Sequence, residues 1–294
     1  MSTPPRLVAR PAALAGSALI ALALVAGCAR GPGGSPEPSS FGGTITHPTG
    51  ATDLVLRVFV GGGFVPPGYL ATEAPAFSLY GDGTAIFRDT AAPLPTSLDG
   101  IARGRPFQQV RLSEPAIRAL LASALDVGGL RTAREQYTLP VADAPTTTFT
   151  IVADGINKQV SVNGLGIVPD TAARTDRGQL LALATLRDQL LAFGTTATGA
   201  STWLAERYRG SLLEATSGTA RPWPWTTLTP ETFANVPDTG SRPWPTRTMS
   251  RAEVAALNIP DLGGGAMGIL LQSPAAGGPL LSLNLRPLLP DEQG

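Results

Sequence analysis

The chain has 294 residues, 43% of them hydrophobic, and a formal net charge of zero. This hydrophobic fraction allows a real core and argues against disorder throughout. The basic residues are scattered arginines, with Lys158 as the single lysine, which gives nucleic-acid binding little support. A single cysteine excludes an internal disulfide, so the fold has to rely on its apolar core.

Residues 1–27 have the order of parts that is typical of a bacterial export signal. Arg6 and Arg10 form a positive start, and an apolar stretch follows from Ala12 to Ala26. That stretch is shorter than the ~20 apolar residues that a membrane-spanning helix needs. Small residues stand directly before Cys28, as signal peptidases require. We therefore expect residues 1–27 to be a signal peptide.

The run that ends at Cys28 resembles the lipobox of bacterial lipoproteins, although Val25 stands where lipoboxes usually carry leucine. The resemblance implies that Cys28 is lipidated and becomes the new N-terminus. More than one acyl chain anchors a protein stably. We therefore expect a lipid-anchored protein on the extracytoplasmic face of the cell membrane. The alternative is that Cys28 is a buried thiol in an ordinary helix.

Residues 28–50 are rich in Gly, Pro, Ser and Thr and contain few apolar anchors. Such a composition predicts a flexible, solvated tether between the lipid and the folded body. His47, the only histidine, falls within this segment.

Residues 51–200 are predicted to form an α+β domain. Leu54–Val60 is rich in β-branched residues and predicts a strand. Two hairpins are expected around Asp82-Gly83 and Asp154-Gly155, because Asp-Gly favours tight turns. Helices are expected from Ser113, as N-cap, to Gly128, and from about Arg177 to Phe193. This order predicts an antiparallel sheet built from hairpins, with helices packed on one face.

Residues 53–193, with the Gly-Asp-Gly turn and the helix after Ser113, resemble an uncharacterised bacterial domain. That domain occurs in secreted and lipid-anchored proteins and has no assigned activity. The arginine bias, with abundant Ala, Gly and Pro, is typical of high-GC Gram-positive bacteria. Many members of the family have a cysteine in the first Gly-rich loop, whereas Gly61–Pro67 contains none.

Residues 201–294 are expected to be a small α+β segment, rich in Trp and Pro, with a short helix and a hairpin, which either forms an independent domain or completes the first one. Arg-Pro-Trp-Pro occurs twice, at residues 221–224 and 242–245, and its prolines favour edges or loops. Ser250 begins a capping box for a short helix. A hairpin is expected between residues 269 and 285. The tail from Arg286 to Glu292 resembles the end of other uncharacterised lipoproteins and is interpreted as a lineage marker without a mechanism.

The sequence offers few residues that could act as a nucleophile, a general base or a metal ligand. A Ser-His-Asp triad would have to recruit His47 from the tether, and a Ser-Lys site would have to use Lys158 without a Ser-x-x-Lys pattern. A Cys/His zinc site lacks ligands. Gly61–Gly63 and Gly263–Gly265 lack the lysine of a phosphate-binding loop, so both are interpreted as ordinary loops. No cofactor and no metal are therefore predicted.

Carboxylates, aromatic side chains and arginines remain. Asp82 and Asp154 are explained as turn residues, whereas Asp143 is either a turn cap or functional. The candidate binding surface, for a glycan or an envelope protein, consists of five residues: Trp223, Trp225, Trp244, Phe64 and Asp143. The favoured alternative for the tryptophans is that they fill the seam between the two halves of the chain.

Three functions are compatible with these residues. The first is a lipid-anchored binding or accessory protein of the cell envelope, with the membrane and an envelope protein or glycan as partners. The second is an envelope hydrolase that uses carboxylates alone. The third is an inhibitor or accessory subunit that inserts the loop around Phe64 into an envelope enzyme.

Overall fold

The computed structural model describes residues 44–97, 99–167, 174–234 and 244–292, without the side chains of residues 174 and 175. Cys28, the predicted signal peptide and the predicted tether up to residue 43 lie outside the described residues. Residues 44–294 belong to one compact unit. The helices are α1 (Pro67–Thr72), α2 (Glu114–Ala122), α3 (Arg174–Leu191), α4 (Phe193–Thr196) and α5 (Arg251–Ala255).

Two β-sheets dominate the fold. The strands are β1 (Leu54–Gly61), β2 (Phe77–Tyr80), β3 (Thr84–Arg88), β4 (Ala102–Arg103), β5 (Phe107–Arg111), β6 (Gln136–Thr138), β7 (Thr146–Ala153), β8 (Ile156–Asn163), β9 (Ser201–Thr202), β10 (Arg207–Glu214), β11 (Thr246–Ser250), β12 (Ala266–Gln272) and β13 (Leu280–Pro287). The larger sheet has the order β6-β8-β7-β1-β2-β3-β5-β9, and the smaller sheet has the order β11-β10-β13-β12-β4. Neighbouring strands are antiparallel except for β6 and β8. The predicted α+β class is confirmed.

The two predicted hairpins of the larger sheet form as the Asp-Gly turns indicate. Ala153 pairs with Ile156, and the two residues between them, Asp154 and Gly155, both have positive φ angles, of 53° and 72°. This is the geometry that Asp-Gly favours in a two-residue hairpin. At the other turn, Asp82 Oδ1 accepts a hydrogen bond from the Thr84 amide at 2.9 Å. Both aspartates therefore serve their turns.

The helices contribute buried side chains to the core of the larger sheet. Helix α2 continues into one π-helical turn, Ser123–Val127, and Gly128 follows as its cap. Ser113 occupies the N-cap position of α2, but its side chain makes no capping bond. Helices and strands share one apolar cluster, whose largest members include Leu121, Leu125, Leu183, Leu190, Leu56, Phe149 and Ile151.

Residues 44–50 differ from the predicted tether, because they lie against the folded body. The carbonyl of Thr46 accepts a hydrogen bond from the Asp154 amide at 2.8 Å, and Ile45 packs against the main core. The His47 side chain is only 3% exposed, and its Nε2 lies 3.2 Å from a carboxylate oxygen of Glu114. Ordered structure thus begins before Asp53, since these residues find polar and apolar partners on the body.

Strand pairing crosses the boundary expected at residue 200 in both directions. Strand β4 belongs to the first half of the chain but pairs with β12 of the smaller sheet. Strand β9 begins the second half but pairs with β5 at the edge of the larger sheet. The two parts of the chain therefore exchange one two-residue edge strand in each direction. The expected capping box of Ser250 and Glu253 and the expected hairpin of β12 and β13 are both present.

The C-terminal tail, residues 288–292, joins the two sheets. It follows β13 of the smaller sheet, and Asp291 Oδ1 accepts hydrogen bonds from Arg57 Nη2 at 2.6 Å and Tyr80 Oη at 2.7 Å on the larger sheet. Burial raises the pKa of Tyr80 above its ordinary value, so its hydroxyl keeps the proton that it donates. Leu289 packs in a small cluster with Tyr80, Ile86 and Phe107.

A second ion pair holds β4 in the smaller sheet. The Arg103 guanidinium donates to both carboxylate oxygens of Asp99, at 2.8 and 2.9 Å, and to the Pro260 carbonyl at 3.1 Å. The Arg103 side chain is only 4% exposed, so the carboxylate of Asp99 compensates a positive charge that water cannot reach.

The tail contact generates a prediction for stability. Asp291→Ala leaves Arg57, whose side chain is 13% exposed, without its carboxylate. An uncompensated buried charge is costly, so we expect a loss of about 2–3 kcal/mol in the free energy of unfolding, measured by urea denaturation. The matched control is Asp188→Ala, because the Asp188 side chain is 64% exposed beside Arg187. We expect it to cost less than about 0.5 kcal/mol. Equal losses in the two variants would contradict this role of the tail.

The Asp99 pair generates a prediction for pH. The hydrogen bond from Arg103 holds the pKa of Asp99 well below its ordinary value of 3.8. The pair therefore stabilises the fold at neutral pH, and this contribution is lost as the pH falls below 3.8. Asp99→Asn should be less stable than the parent protein at neutral pH, and the difference should narrow in acid. Urea denaturation at several pH values measures it. A difference that stays constant with pH would show that the charge is unimportant.

Candidate functional site

The structure packs two of the predicted tryptophans against the core of the smaller sheet. The rings of Trp223 and Trp225 meet edge to face, 5.1 Å apart at 75°, and both are half-buried. Their Nε1 atoms donate to the carbonyls of Leu228 at 2.6 Å and Glu253 at 2.9 Å. They therefore form no coplanar platform. Trp244 is also half-buried, and its Nε1 has no hydrogen-bond partner among the described residues.

The tryptophan between the two sheets is Trp203, which the sequence analysis did not single out. Its ring meets Phe107 edge to face, 5.7 Å apart at 89°. It packs against the core of the smaller sheet and also against the cluster around Leu289. The seam role expected of the other tryptophans thus belongs to Trp203.

The structure brings Phe64 and Asp143 together. The Phe64 amide donates to the Asp143 carbonyl at 3.3 Å, and Asp143 has a φ angle of 55° in an exposed turn. The Phe64 side chain is 88% exposed, the highest value among the large hydrophobic residues described. The contact explains Asp143 as a turn residue that supports the loop. A binding role for Phe64 stays a prediction.

A pocket of about 370 Å³ lies between the two sheets. We call it the seam pocket. Its walls are helix α1 and the residues after it, the ends of β1 and β3, strand β4, and the start of β12. A volume of this size lies in the range of small-molecule sites. The side chains that line it include Tyr69, Glu73, Arg88, Leu94, Arg105 and Met267.

Arg88 is the central charged group of the seam pocket. Its Nη1 donates to the Arg105 carbonyl at 2.7 Å, and its Nη2 donates to the Gly264 carbonyl at 3.0 Å. Its Cζ atom lies over the Phe107 ring, 4.2 Å from the ring centre. Burial, and then repulsion by Arg286 and Arg105, lowers the pKa of Arg88 to about 10. The group is still cationic at neutral pH.

Two glycines allow the backbone approach that fixes Arg88. The Gly104 amide donates to the Gly265 carbonyl at 2.9 Å. A Cβ on Gly264 would collide with the carbonyl oxygens of Gly104 and Arg105, and a Cβ on Gly104 would collide with the Gly264 carbonyl. The run Gly263–Gly265, interpreted from sequence as an ordinary loop, therefore supplies part of the pocket wall and a carbonyl partner of Arg88.

The pocket combines positive charge with apolar walls. Arg105 donates through Nε to the Ala92 carbonyl at 2.6 Å, and neither Arg88 nor Arg105 is within ion-pair distance of a described carboxylate. Glu73 is the one carboxylate on the described lining, and its Oε1 accepts a hydrogen bond from the Gly62 amide at 2.8 Å. Tyr69 and Leu94 are 50% and 60% exposed, so the pocket has an apolar rim.

The part of the chain that the structure describes contains no group of three or more His, Cys, Asp or Glu residues that could hold a metal ion. No helix there is both long and apolar enough to cross a membrane.

Comparison with known proteins adds no assignment. No family model matches the chain, and no curated protein and no solved structure shows a significant match. The seam pocket therefore has to be interpreted from its own geometry.

Proposed function

We propose that the chain is a lipid-anchored protein of the cell envelope that binds a small ligand in the seam pocket. The lipobox-like run before Cys28 supports the anchor. The observation that carries the binding proposal is the half-buried Arg88, whose guanidinium lines a pocket of about 370 Å³ and has no carboxylate partner among the described residues. A charge that is partly withdrawn from water and lacks a protein counter-ion is costly unless something else compensates it.

Binding fits the seam pocket better than carboxylate hydrolysis does. A glycoside hydrolase of the usual kind needs two carboxylates held roughly 5 to 10 Å apart. The described lining of the seam pocket contributes one, Glu73, and its Oε1 accepts a hydrogen bond from the Gly62 backbone.

For the scaffold, we propose that α2 and α3 pack on one face of the larger sheet, because their buried side chains share a cluster with its strands.

Blocking the seam pocket should abolish ligand binding. Ala102 lies on the exposed edge strand β4 and lines the pocket, so Ala102→Trp places a large ring there with little cost to the core. Molecules that co-purify with the protein from membranes are extracted and identified by mass spectrometry. We expect a compound that is enriched with the parent protein and reduced at least about tenfold with Ala102→Trp.

The matched control for the blocked pocket is Ala119→Trp, because Ala119 is exposed on α2 and does not line the pocket. This variant should retain the compound at the parent level. If no compound distinguishes the two variants, the seam pocket is not a ligand site.

The anchor has its own test. Cys28→Ser should release the protein from the membrane fraction or leave it as an unprocessed precursor, because serine lacks the thiol that is acylated. Cell fractionation and intact-mass measurement follow both outcomes, with Ser35→Ala as a control that leaves the lipobox unchanged. A lipidated, membrane-bound Cys28→Ser protein would refute the assignment.

A further inference from the structure

We infer that the ligand of the seam pocket is a small amphiphile whose acidic head group, a carboxylate or a phosphate, is bound by Arg88. This inference rests on the proposed function, because it names the chemical class of the molecule that the pocket would hold. The apolar part of the ligand would lie against the pocket wall.

Three arginines of low exposure in the described chain each have a carboxylate partner. Arg57 pairs with Asp291, Arg103 pairs with Asp99, and Arg286 pairs with Glu292. Half-buried Arg88 differs, since its described hydrogen-bond partners are two backbone carbonyls, and Arg105 in the same pocket likewise has a backbone carbonyl as its described partner. The fold supplies a carboxylate for each of the other three cations. The pocket beside Arg88 is therefore where an external anion would complete the same pattern.

Arg88 has N–H donors that no described protein acceptor uses. A guanidinium has five N–H groups. Two of those on Arg88 are used by the carbonyls of Arg105 and Gly264, and the other three have no protein acceptor among the described residues. Carboxylate and phosphate oxygens are the acceptors that this planar group matches best. Neutral hydroxyl or amide groups would leave the charge uncompensated.

The Arg88 guanidinium is held in place by three contacts. The carbonyls of Arg105 and Gly264 bind its two Nη atoms, and its Cζ atom lies over the Phe107 ring, 4.2 Å from the ring centre. These contacts fix the plane of the group before a ligand arrives, which reduces the entropy that binding costs. A lysine cannot reproduce this arrangement, because its ammonium is neither planar nor forked.

The seam pocket also has apolar walls. Much of its lining is apolar, with Ala74, Ala76, Leu94, Ala102 and Met267 among its members. Arg105 adds a second cation without a described carboxylate partner, whereas Arg103 on the same lining is paired with Asp99. An anion without an apolar body would leave these apolar walls uncovered, whereas an amphiphile would bury them. An acidic head group on a short apolar chain therefore fits both parts of the site.

The test uses the intact lipidated protein in nanodiscs of zwitterionic lipid. Three probes share one apolar chain: hexanoate, hexyl phosphate and the neutral hexanol. Binding is measured by isothermal titration, with empty nanodiscs subtracted. We expect at least one anion to bind at least about tenfold more tightly than hexanol. The comparison between hexanoate and hexyl phosphate identifies which acidic head group the site prefers.

The variants test Arg88 directly. Arg88→Gln and Arg88→Lys should each weaken the preferred anion at least about tenfold and leave hexanol binding unchanged. Arg118→Gln is the control, because Arg118 is an exposed cation on α2, paired with Glu114 and outside the pocket. It should bind all probes as the parent protein does. The comparison of probes on the parent protein remains decisive if an Arg88 variant does not fold.

The outcomes separate this inference from the proposed function. If hexanol binds as tightly as both anions and Ala102→Trp abolishes it, the acidic class is overturned while the seam pocket remains a ligand site. If none of the probes binds, the acidic class is again overturned, and the co-purification with Ala102→Trp decides the proposed function separately. Preference for an anion that is lost with Arg88→Gln supports the inference.

Discussion

The contact between Asp291 and the pair Arg57 and Tyr80 is the interaction on which the arrangement of the two sheets depends. It lies at the end of the chain, after the last strand of the smaller sheet, and it reaches two strands of the larger one. Leu289 adds apolar packing beside it, and Glu292 accepts from Arg286 and, through its backbone carbonyl, from Arg207. A short tail can therefore hold together sheets whose strands exchange only two-residue edges, because its charges are desolvated and mutually paired.

The seam pocket lies between the two sheets that are held in this way, and Arg88 lines it. Arg88 ends β3, but the carbonyls that fix it come from Arg105 and from Gly264, which is 176 residues away. The close approach of Gly104 and Gly264 makes this possible. The seam pocket is thus a consequence of how the two sheets meet, and its charge follows from Arg88 and Arg105, which have backbone carbonyls rather than carboxylates as their described partners.

Local signals in the sequence predicted local structure well. The Asp-Gly turns, the apolar face of α2 and the capping box at Ser250 all depend on residues close in the chain, and each is present. The site could not be predicted in the same way, because Arg88 and Gly264 are far apart in sequence and the run Gly263–Gly265 by itself indicates only a loop. The tail was interpreted as a marker without a mechanism for the same reason: the partners of Asp291 lie more than 200 residues before it.

The central claim is that the space between the two sheets is a ligand site. Hydrogen–deuterium exchange of the intact protein, with and without hexanoate or hexyl phosphate, tests it most directly. Binding in the seam pocket predicts slower exchange over residues 69–76, 102–105 and 264–267, and unchanged exchange around Trp223 and Trp225. Protection around the tryptophans, with none in the three pocket segments, would contradict the account.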